Sequence, residues 1–595
     1  MRAFANPATY LVPAEGNLTD DVVRHVRERP DAVAFRRKVD GAWEDVTYAE
    51  FEREVVAVAK GLIAAGVEPG DRVGLLSKTR YEWTLLDYAI WWVGAATVPI
   101  YDTSSADQVG WVLGDSGAVA CIVETDDHHS RVAASRDRTP DLRHVWTLDG
   151  QAVKTLEALG TDVDDATVEA RRADVTPSDM ATLIYTSGTT GKPKGCVLTH
   201  ANFMFELGVA TVELDRLFDL EDASTLLFLP LAHVFARIIQ VGCVRAGVRM
   251  GHSSNIKELT GNLAEFQPTF LLAVPRVFEK VFNTASQRAH SEGKGRIFDA
   301  AAESAIRFSQ AQEGSRAGPL LRARHAVFDR LVYARLRAAL GGRTEYAISG
   351  GAPLGERLAH FFRGIGVPVL EGYGLTETTA ALTVNLPDSL KIGTVGRPIP
   401  GTEVRVGADG ELLFRGGQIF PGYWNNPEAT AEALGADGWF HSGDLGEIDD
   451  EGFVRITGRK KEILVTAGGK NVAPAVLEDP IRSHALVSQC MVVGDGKPYI
   501  AALVTLDAEA VRPWAEQHGV DPNPARLVND PDLRAAIQQA VDDANDRVSQ
   551  AESIRKFRIL PIDWTEDSGH LTPSLKLRRM VVMRDFAAEV EALYG

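Results

Sequence analysis

Apolar positions recur along this chain with both helical and strand spacing. Phe51, Val55, Ala59 and Leu62 share one helical face, and Thr47 and Glu50 have the spacing of a capping box. Gly66 supplies the stop, so the pattern predicts a helix over 47–66. Short apolar runs at 73–76, 97–101 and 119–123 predict buried strands, and helical patterns at 82–94 and 106–113 separate them. Such alternation means a mostly parallel α/β sheet. The most apolar stretch, 88–101, is too short to span a bilayer and contains Gly94 and Pro99, so it reads as a buried helix running into a strand. Residues 126–178, rich in Asp, Arg and Thr, break the pattern and predict a surface excursion.

Further along, 228–235 reads as a strand ending at a turn, with His233 near the sheet edge. Residues 285–340 predict an Ala/Arg-rich helical segment, broken around 314–319, whose charges form a solvated face. The stretches 346–354 and 367–378 both run from strand into glycine-bearing loop, the edge at which α/β sheets receive ligands. After Lys391 come short strands and turns at 402–406, 410–415 and 452–456, a small β subdomain that carries Trp439-Phe-His-Ser-Gly-Asp-Leu445. The character changes again near Thr457-Gly-Arg-Lys-Lys-Glu462. Strands at 487–493 and 500–506 and a helix at 533–549 then suffice for a separate α/β domain. The fold class is therefore α/β, with a large N-terminal domain over 1–458 and a small C-terminal domain over 459–595. The N-terminal domain should hold two mostly parallel sheets and the β subdomain.

One stretch concentrates chemistry. Tyr185-Thr-Ser-Gly-Thr-Thr-Gly-Lys-Pro-Lys-Gly195 joins two short apolar runs and holds three glycines, five hydroxyl side chains and two lysines. Glycines let successive N–H groups point into one concavity, which favours an anion; Lys192 and Lys194 add charge. A polar hairpin turn is the plain alternative. A Walker loop fails, because Thr186 stands where it needs glycine and Pro193 where it needs a hydroxyl. Pro193 and the β-like run after it return the chain to a sheet instead of opening a helix.

Composition sharpens this. The 45% hydrophobic and 24% charged content is that of an ordinary globular protein. A net charge of −18 argues against a nucleic-acid binder, since counterion release needs a basic surface. A polyanion would be repelled on average, so groups that bind one must act locally. The four cysteines, Cys121, Cys196, Cys243 and Cys490, form no metal or disulfide spacing, which fits a reducing cytoplasm. The N-terminus lacks the apolar core of a signal peptide.

The islands named so far, followed by Gly569-His-Leu-Thr-Pro-Ser-Leu-Lys-Leu577, resemble in their order the adenylate-forming superfamily of acyl-CoA synthetases, peptide-synthetase adenylation domains and firefly luciferase. Pro99-Ile-Tyr-Asp-Thr-Ser-Ser105, Pro275-Arg-Val-Phe-Glu279, the helical insertion after it and Leu571-Thr-Pro-Ser-Leu-Lys576 look most like a bacterial long-chain acyl-CoA synthetase. The resemblance implies ATP, Mg²⁺ and CoA: a fatty carboxylate attacks the α-phosphate to give acyl-AMP, and CoA then displaces AMP.

It also implies roles. Thr186, Ser187, Gly188, Thr189, Thr190, Gly191, Lys192 and Lys194 would hold the β- and γ-phosphates. Glu377 would bind Mg²⁺ with the Thr186 hydroxyl as second contact, a sparse oxygen set that suits this ion. Asp444 would accept both ribose hydroxyls. Gly350, Gly351 and Ala352, with Glu371, Gly372, Tyr373 and Gly374, would wall the adenine, Tyr373 stacking on it and Thr376 following in the same motif. Arg459 would reach the ribose or α-phosphate. Lys576 would sit between the acyl carboxylate and the α-phosphate, and His233 beside that carboxylate. Many relatives carry a glycine just before the lysine; here Leu575 stands there. Lys461 matches the hinge of a mobile C-terminal domain, whose rotation would bring in Gly468 and Gly469 to leave room for the pantetheine arm.

Three alternatives carry less. Peptide-synthetase adenylation needs a buried carboxylate for the substrate ammonium, and 229–241 has none. An acyl-AMP ligase that loads a carrier protein would carry an insertion, whereas 459–470 is compact. A non-catalytic fatty-acid-binding or uptake scaffold would not need Lys576, Glu377 and Asp444. A cytoplasmic location, peripheral contact with the inner face of the membrane, a homodimer and a broad long-chain preference are family-level expectations, with no nucleic-acid partner.

Overall fold

The computed structural model describes residues 1–595 apart from 187–191, 221, 315–316 and 573–574, and of Ile256 the backbone only. Two large sheets carry the N-terminal domain. In the first, of seven strands, Arg72–Leu76, Ala96–Ile100, Ala120–Val123, His144–Thr147 and Met180–Thr186 run parallel, and Lys194–Thr199 and Gly422–Tyr423 close one edge antiparallel. The second has nine strands. Its parallel centre includes Ser224–Leu227, Phe270–Ala273, Tyr346–Ser349 and Val369–Tyr373.

The helix predicted over 47–66 spans Tyr48–Ala64, and both hydrogen bonds of the Thr47–Glu50 capping box are made. The apolar stretch beginning near 88 is the end of the buried helix Tyr81–Trp92 running into the strand Ala96–Ile100. Residues 126–178 differ from the expectation. They contain the edge strand His144–Thr147 and the helices Asp126–Ala133, Ala152–Leu159 and Asp165–Ala173, with Leu156 and Val168 buried in the core. These elements are short and strongly amphipathic, so charge dominates their composition while one side packs.

The β subdomain is a five-stranded antiparallel sheet in which Ala3–Ala5 pairs with Glu403–Val406. The terminal ammonium donates to the Ile448 carbonyl at 2.7 Å. The C-terminal domain contains the hairpin Leu464–Val465/Asn471–Val472 and the sheet of Val487–Val493, Ile500–Leu506 and Ile554–Ile559, backed by helices that include Pro474–Arg482 and Pro531–Asn545. It docks on the N-terminal helix Pro275–Ser291 through Arg276–Asp507 at 3.0 Å and Lys280–Glu509 at 2.9 Å.

Between the two large sheets lies a buried ion pair. Arg237, on the helix Val234–Ala246, donates to both oxygens of Asp87, on Tyr81–Trp92, and both side chains are fully buried. Thr97 donates to Asp87 at 2.6 Å and Gln240 at 3.2 Å, while the guanidinium lies 5.4 and 5.2 Å from the rings of Trp83 and Trp91. The pair is thus hydrogen-bonded and enclosed by aromatic faces, the condition under which two buried charges are tolerated.

Candidate active site

Glycine loops and strand ends from both large sheets, the β subdomain and the C-terminal domain border one cavity of about 3900 Å³. Met180–Thr186 and Lys194–Thr199 pair antiparallel, so the Gly/Thr-rich stretch is the loop of a hairpin. Ser187, Gly188, Thr189, Thr190 and Gly191 lie outside the described residues. The flanks are visible. The Tyr185 hydroxyl donates to Asp115 at 2.6 Å, which takes it out of the set of phosphate donors. Lys192 Nζ lies 4.0 Å from the ring centre of Trp111, and Lys194 Nζ lies 5.1 Å from that of Tyr423, so aromatic faces hold both cations in place.

Glu377 stands on the single 3₁₀ turn Thr376–Thr378, which follows the strand Val369–Tyr373. Tyr423 donates its hydroxyl to Glu377 Oε1 at 2.7 Å. Its strand lies against Lys194–Thr199, and Cys196 Sγ is 3.8 Å from the Thr186 hydroxyl. Glu377, Thr186 and Lys194 therefore meet around Tyr423 and Cys196. A hard divalent cation fits here: one carboxylate and one hydroxyl offer oxygen, and phosphates and water would complete the shell. Among the described residues no cluster of three or more His, Cys, Asp or Glu could form a metal cage.

The backbone behind Glu377 is strained. Thr379 and Ala380 have φ of 58° and 129°, and Gly374 is required because a Cβ there would sit 1.5 Å from the Ala380 carbonyl oxygen. Glu206 braces this turn by accepting from Ala381 N–H at 2.9 Å. Its second oxygen is buried without a partner among the described residues, and burial pushes its carboxyl well above the usual range.

Asp444 is almost fully covered. On Phe440–Ile448 it sits opposite Arg459 of Val454–Arg459, whose guanidinium forms an ion pair with Oδ1 at 3.1 Å. The Tyr373 hydroxyl donates to Oδ2 at 2.6 Å. This sharpens two expectations. Oδ2 thus already accepts one bond and Oδ1 faces the Arg459 guanidinium, and both oxygens keep acceptor capacity for a ribose hydroxyl. Tyr373, anchored through its hydroxyl and tilted against Phe414 at 5.9 Å, bounds the cavity as a fixed wall. Arg459 is first of all the partner of Asp444.

Gly350, Gly351, Ala352, Glu371, Gly372 and Gly374 all border the cavity. Gly350 and Gly372 follow or end the neighbouring strands Tyr346–Ser349 and Val369–Tyr373, and a Cβ on Gly350 would stand 3.3 Å from the Gly372 carbonyl oxygen. Glu371 accepts from Leu354 N–H at 2.9 Å, and burial raises its carboxyl to about 7. Because the folded value lies above the unfolded ~4.3, the folded state holds a proton the unfolded chain has lost. This contribution is complete below pH ~4.3 and is lost as pH rises through about 7. Glu371→Gln should keep the Leu354 bond and raise Tm at pH 8 relative to the parent. It should also flatten the decline between pH 5 and 8; parallel Tm–pH curves would refute the assignment.

His233 caps the helix Val234–Ala246, its Nδ1 accepting from Phe235 N–H at 3.1 Å. Burial, and next the charge of Lys576, lower its pKa to about 3. The ring is neutral, and with Nδ1 as acceptor the proton sits on Nε2, a donor for the cavity. Lys576 borders the same cavity. Burial lowers its pKa, and Arg459 adds to this, while Asp444, Glu377 and Glu462 oppose it. A cation so placed gains most when an anion arrives between it and Arg459. Leu575 takes φ of 60°, the left-handed conformation a glycine would adopt without cost.

Not everything converges. Gly468 and Gly469 lie in the turn of the 464–472 hairpin, and neither borders the cavity. Gly469 has φ of 78° with nothing near its missing Cβ. Lys461, by contrast, does border the cavity, although its side chain is largely exposed, 3.7 Å from Glu432. Tyr423 and Glu206 were not singled out from the sequence. Their partners lie tens to hundreds of residues away, and no local spacing signals such a contact.

A family model described as AMP-binding enzyme matches residues 22–424, and one described as AMP-binding enzyme C-terminal domain matches 461–595. Over 600 aligned residues the chain is 53% identical to long-chain-fatty-acid–CoA ligase FadD15 of Mycobacterium bovis, covering all of both chains. Anthranilate CoA ligase AuaEII in complex with anthranoyl-AMP shares the fold at TM-score 0.74 and 19% identity, over 97% of this chain and 99% of that one. O-succinylbenzoate coenzyme A synthetase of Bacillus subtilis in complex with ATP and magnesium ion shares it at TM-score 0.67 and 20% identity, over 94% and 98%. With its strand-end glycine loops and Lys576 brought to one cavity, and with matches to the family over both domains, the chain belongs to the AMP-binding enzyme family.

Proposed function

We propose that the protein is an ATP-dependent long-chain fatty acid–CoA ligase. One observation carries the reading: Lys576 of the C-terminal domain borders the same cavity as His233, Asp444 and the Glu371–Gly374 strand end of the N-terminal domain. The mycobacterial relative's full-length identity supports the substrate class. In the first step a carboxylate oxygen bonds to the α-phosphorus and pyrophosphate leaves. In the second the CoA sulfur bonds to the acyl carbon, AMP leaves and the thiol proton passes to solvent.

The protein's part is neutralisation and alignment. Lys576 supplies the charge between the attacking carboxylate and the α-phosphate, and His233, being neutral, donates from Nε2 without repelling Lys576. Asp444, oriented by Tyr373 and Arg459, takes the ribose hydroxyls, and the Gly350–Ala352 and Glu371–Gly374 backbones wall the base, with Thr376 leading into the Glu377 turn. The hairpin from Thr186 to Lys194 steadies the β- and γ-phosphates. Glu377 and Thr186 would hold Mg²⁺, which when bound offsets phosphate charge.

The present arrangement suits adenylation, with Lys576 in and Gly468–Gly469 out. Rotation of 459–595 about Lys461 would exchange them and give the pantetheine arm a path beside those glycines. We place the enzyme in the cytoplasm, supported by its four buried free cysteines, and extend the reading to peripheral contact with the inner face of the membrane and to a homodimer. No helix among the described residues is long and apolar enough to cross a membrane.

The test is a kinetic series of acids from C8 to C20 with ATP and CoA. Each buried CH₂ contributes ~0.8 kcal/mol, so two carbons change kcat/KM roughly 15-fold while the chain is still being buried. Long acids should give acyl-CoA, AMP and pyrophosphate. Equal activity on acetate or benzoate would overturn the long-chain assignment.

A further inference from the structure

Lys192 rests on a ring that belongs to a helix gripping the phosphate hairpin at both flanks. That helix, Ala106–Ser116, is packed closely enough to fix its rotation. A Cβ on Gly110 would stand 2.6 Å from Ser135 Cβ, and one on Gly114 would stand 2.4 Å from the Arg138 carbonyl oxygen. The next face around the helix presents Trp111 and Asp115, one turn apart. Asp115 accepts from the Tyr185 hydroxyl on the entering strand at 2.6 Å. Trp111 reaches the leaving strand: its Nε1 donates to the Pro193 carbonyl at 2.9 Å, and its ring centre lies 4.0 Å from Lys192 Nζ. The last rung of the hairpin pairs Thr186 with Lys194, so Trp111 acts just beyond the point where strand pairing fixes the backbone. Pro193 has no N–H with which to extend the ladder, and Trp111 satisfies the carbonyl it does have. Trp111, Asp115, Lys192 and Pro193 all border the cavity.

The chemistry of the partner matters. A carboxylate would hold Lys192 and also neutralise it. An indole face attracts an ammonium through the ring quadrupole yet carries no net charge, so the full positive charge and the outward N–H groups stay available to an anion. Among the described residues no carboxylate pairs with Lys192. In a chain of net charge −18, a cation that is to meet a polyanion has to be placed locally and left unneutralised. A lysine already confined by a ring also loses less side-chain freedom when its ligand arrives. We propose that Trp111 is a positioning residue for ATP: it holds Lys192 and the Pro193 carbonyl so that the ammonium meets the phosphates already aligned. The proposal rests on the phosphate role given to the hairpin above.

Trp111→Phe and Trp111→Leu test the role in the full-length enzyme. Phenylalanine keeps an aromatic face and loses the Nε1–H donor; leucine loses both. KM for ATP should rise about threefold in Trp111→Phe and about tenfold in Trp111→Leu, with kcat at saturating ATP and KM for palmitate within about twofold of the parent. A fall in kcat with KM for ATP unchanged would overturn the positioning role. Calorimetric titration with ATP and Mg²⁺, without fatty acid, should rank the three proteins in the same order; equal Kd in the parent and Trp111→Leu would also overturn it. Both substitutions are then repeated in the Lys192→Met background. If the ring acts through the ammonium, the gap of about threefold between the phenylalanine and leucine variants closes there. A gap that persists undiminished would show plain packing and contradict the proposal. Lys192→Met with the parental KM for ATP would instead sink the phosphate role of Lys192 itself.

Discussion

Replacing Lys576 by alanine should abolish acyl-adenylate formation and leave the conversion of supplied acyl-AMP and CoA to thioester close to that of the parent. The lysine borders the cavity that holds Asp444 and His233, and the surroundings lower its pKa, so its charge is poorly solvated until phosphate and carboxylate arrive. Charge–charge contacts made in such a site act in the transition state with little reorganisation, and losing one donor of this kind typically costs 10²–10³ in rate. ATP–pyrophosphate exchange should fall by at least about that factor. The second half-reaction needs no charge at the α-phosphate and is expected to run with the lysine swung out. Loss of both half-reactions with the fold intact would contradict this division of labour.

The second large effect concerns stability. Asp87→Ala would leave Arg237 fully buried, flanked by Trp83 and Trp91, with no anion. Removing one partner of a buried ion pair costs about 3–5 kcal/mol, much of it the penalty of the charge left behind. That is a large share of the 5–15 kcal/mol by which a domain is typically stable. The first calorimetric transition should drop by several degrees, and expression at 37 °C should suffer. Asp87→Leu combined with Arg237→Met removes both charges and should recover most of the loss. A single Asp87→Ala variant with parental Tm would show that water or Glu/Asp elsewhere already satisfies the guanidinium.

Much of the architecture is written in local pattern. The 47–66 helix carries its own cap and stop, and the short apolar runs at 73–76, 97–101 and 119–123 can only be buried strands between helices. The same holds for the site where a motif is contiguous. Glu371 to Glu377 is one strand end and turn, and Lys576 sits in a compact island near the C-terminus. What sequence order hides is pairing at a distance. Asp87 lies in the helical pattern read at 82–94, just before the most apolar stretch, and its meaning appears only when Arg237, 150 positions later, packs against it. Tyr423 meets Glu377 because a two-residue strand joins the edge of the phosphate hairpin, too short to leave a pattern. The Ala3–Ala5 strand was invisible for the same reason: three residues gain their identity from the sheet they join. Tyr373 illustrates the remaining kind of error, in which the residue was found but its hydroxyl was not followed to Asp444.

Labelled pyrophosphate incubated with ATP, Mg²⁺, palmitate and the full-length enzyme, without CoA, tests the central claim most directly. Label should enter ATP, only when palmitate is present, and adding CoA should then drain the system to palmitoyl-CoA, AMP and pyrophosphate. Label exchange independent of the fatty acid, or hydrolysis of ATP to ADP with no AMP formed, would contradict an adenylating ligase built around Lys576.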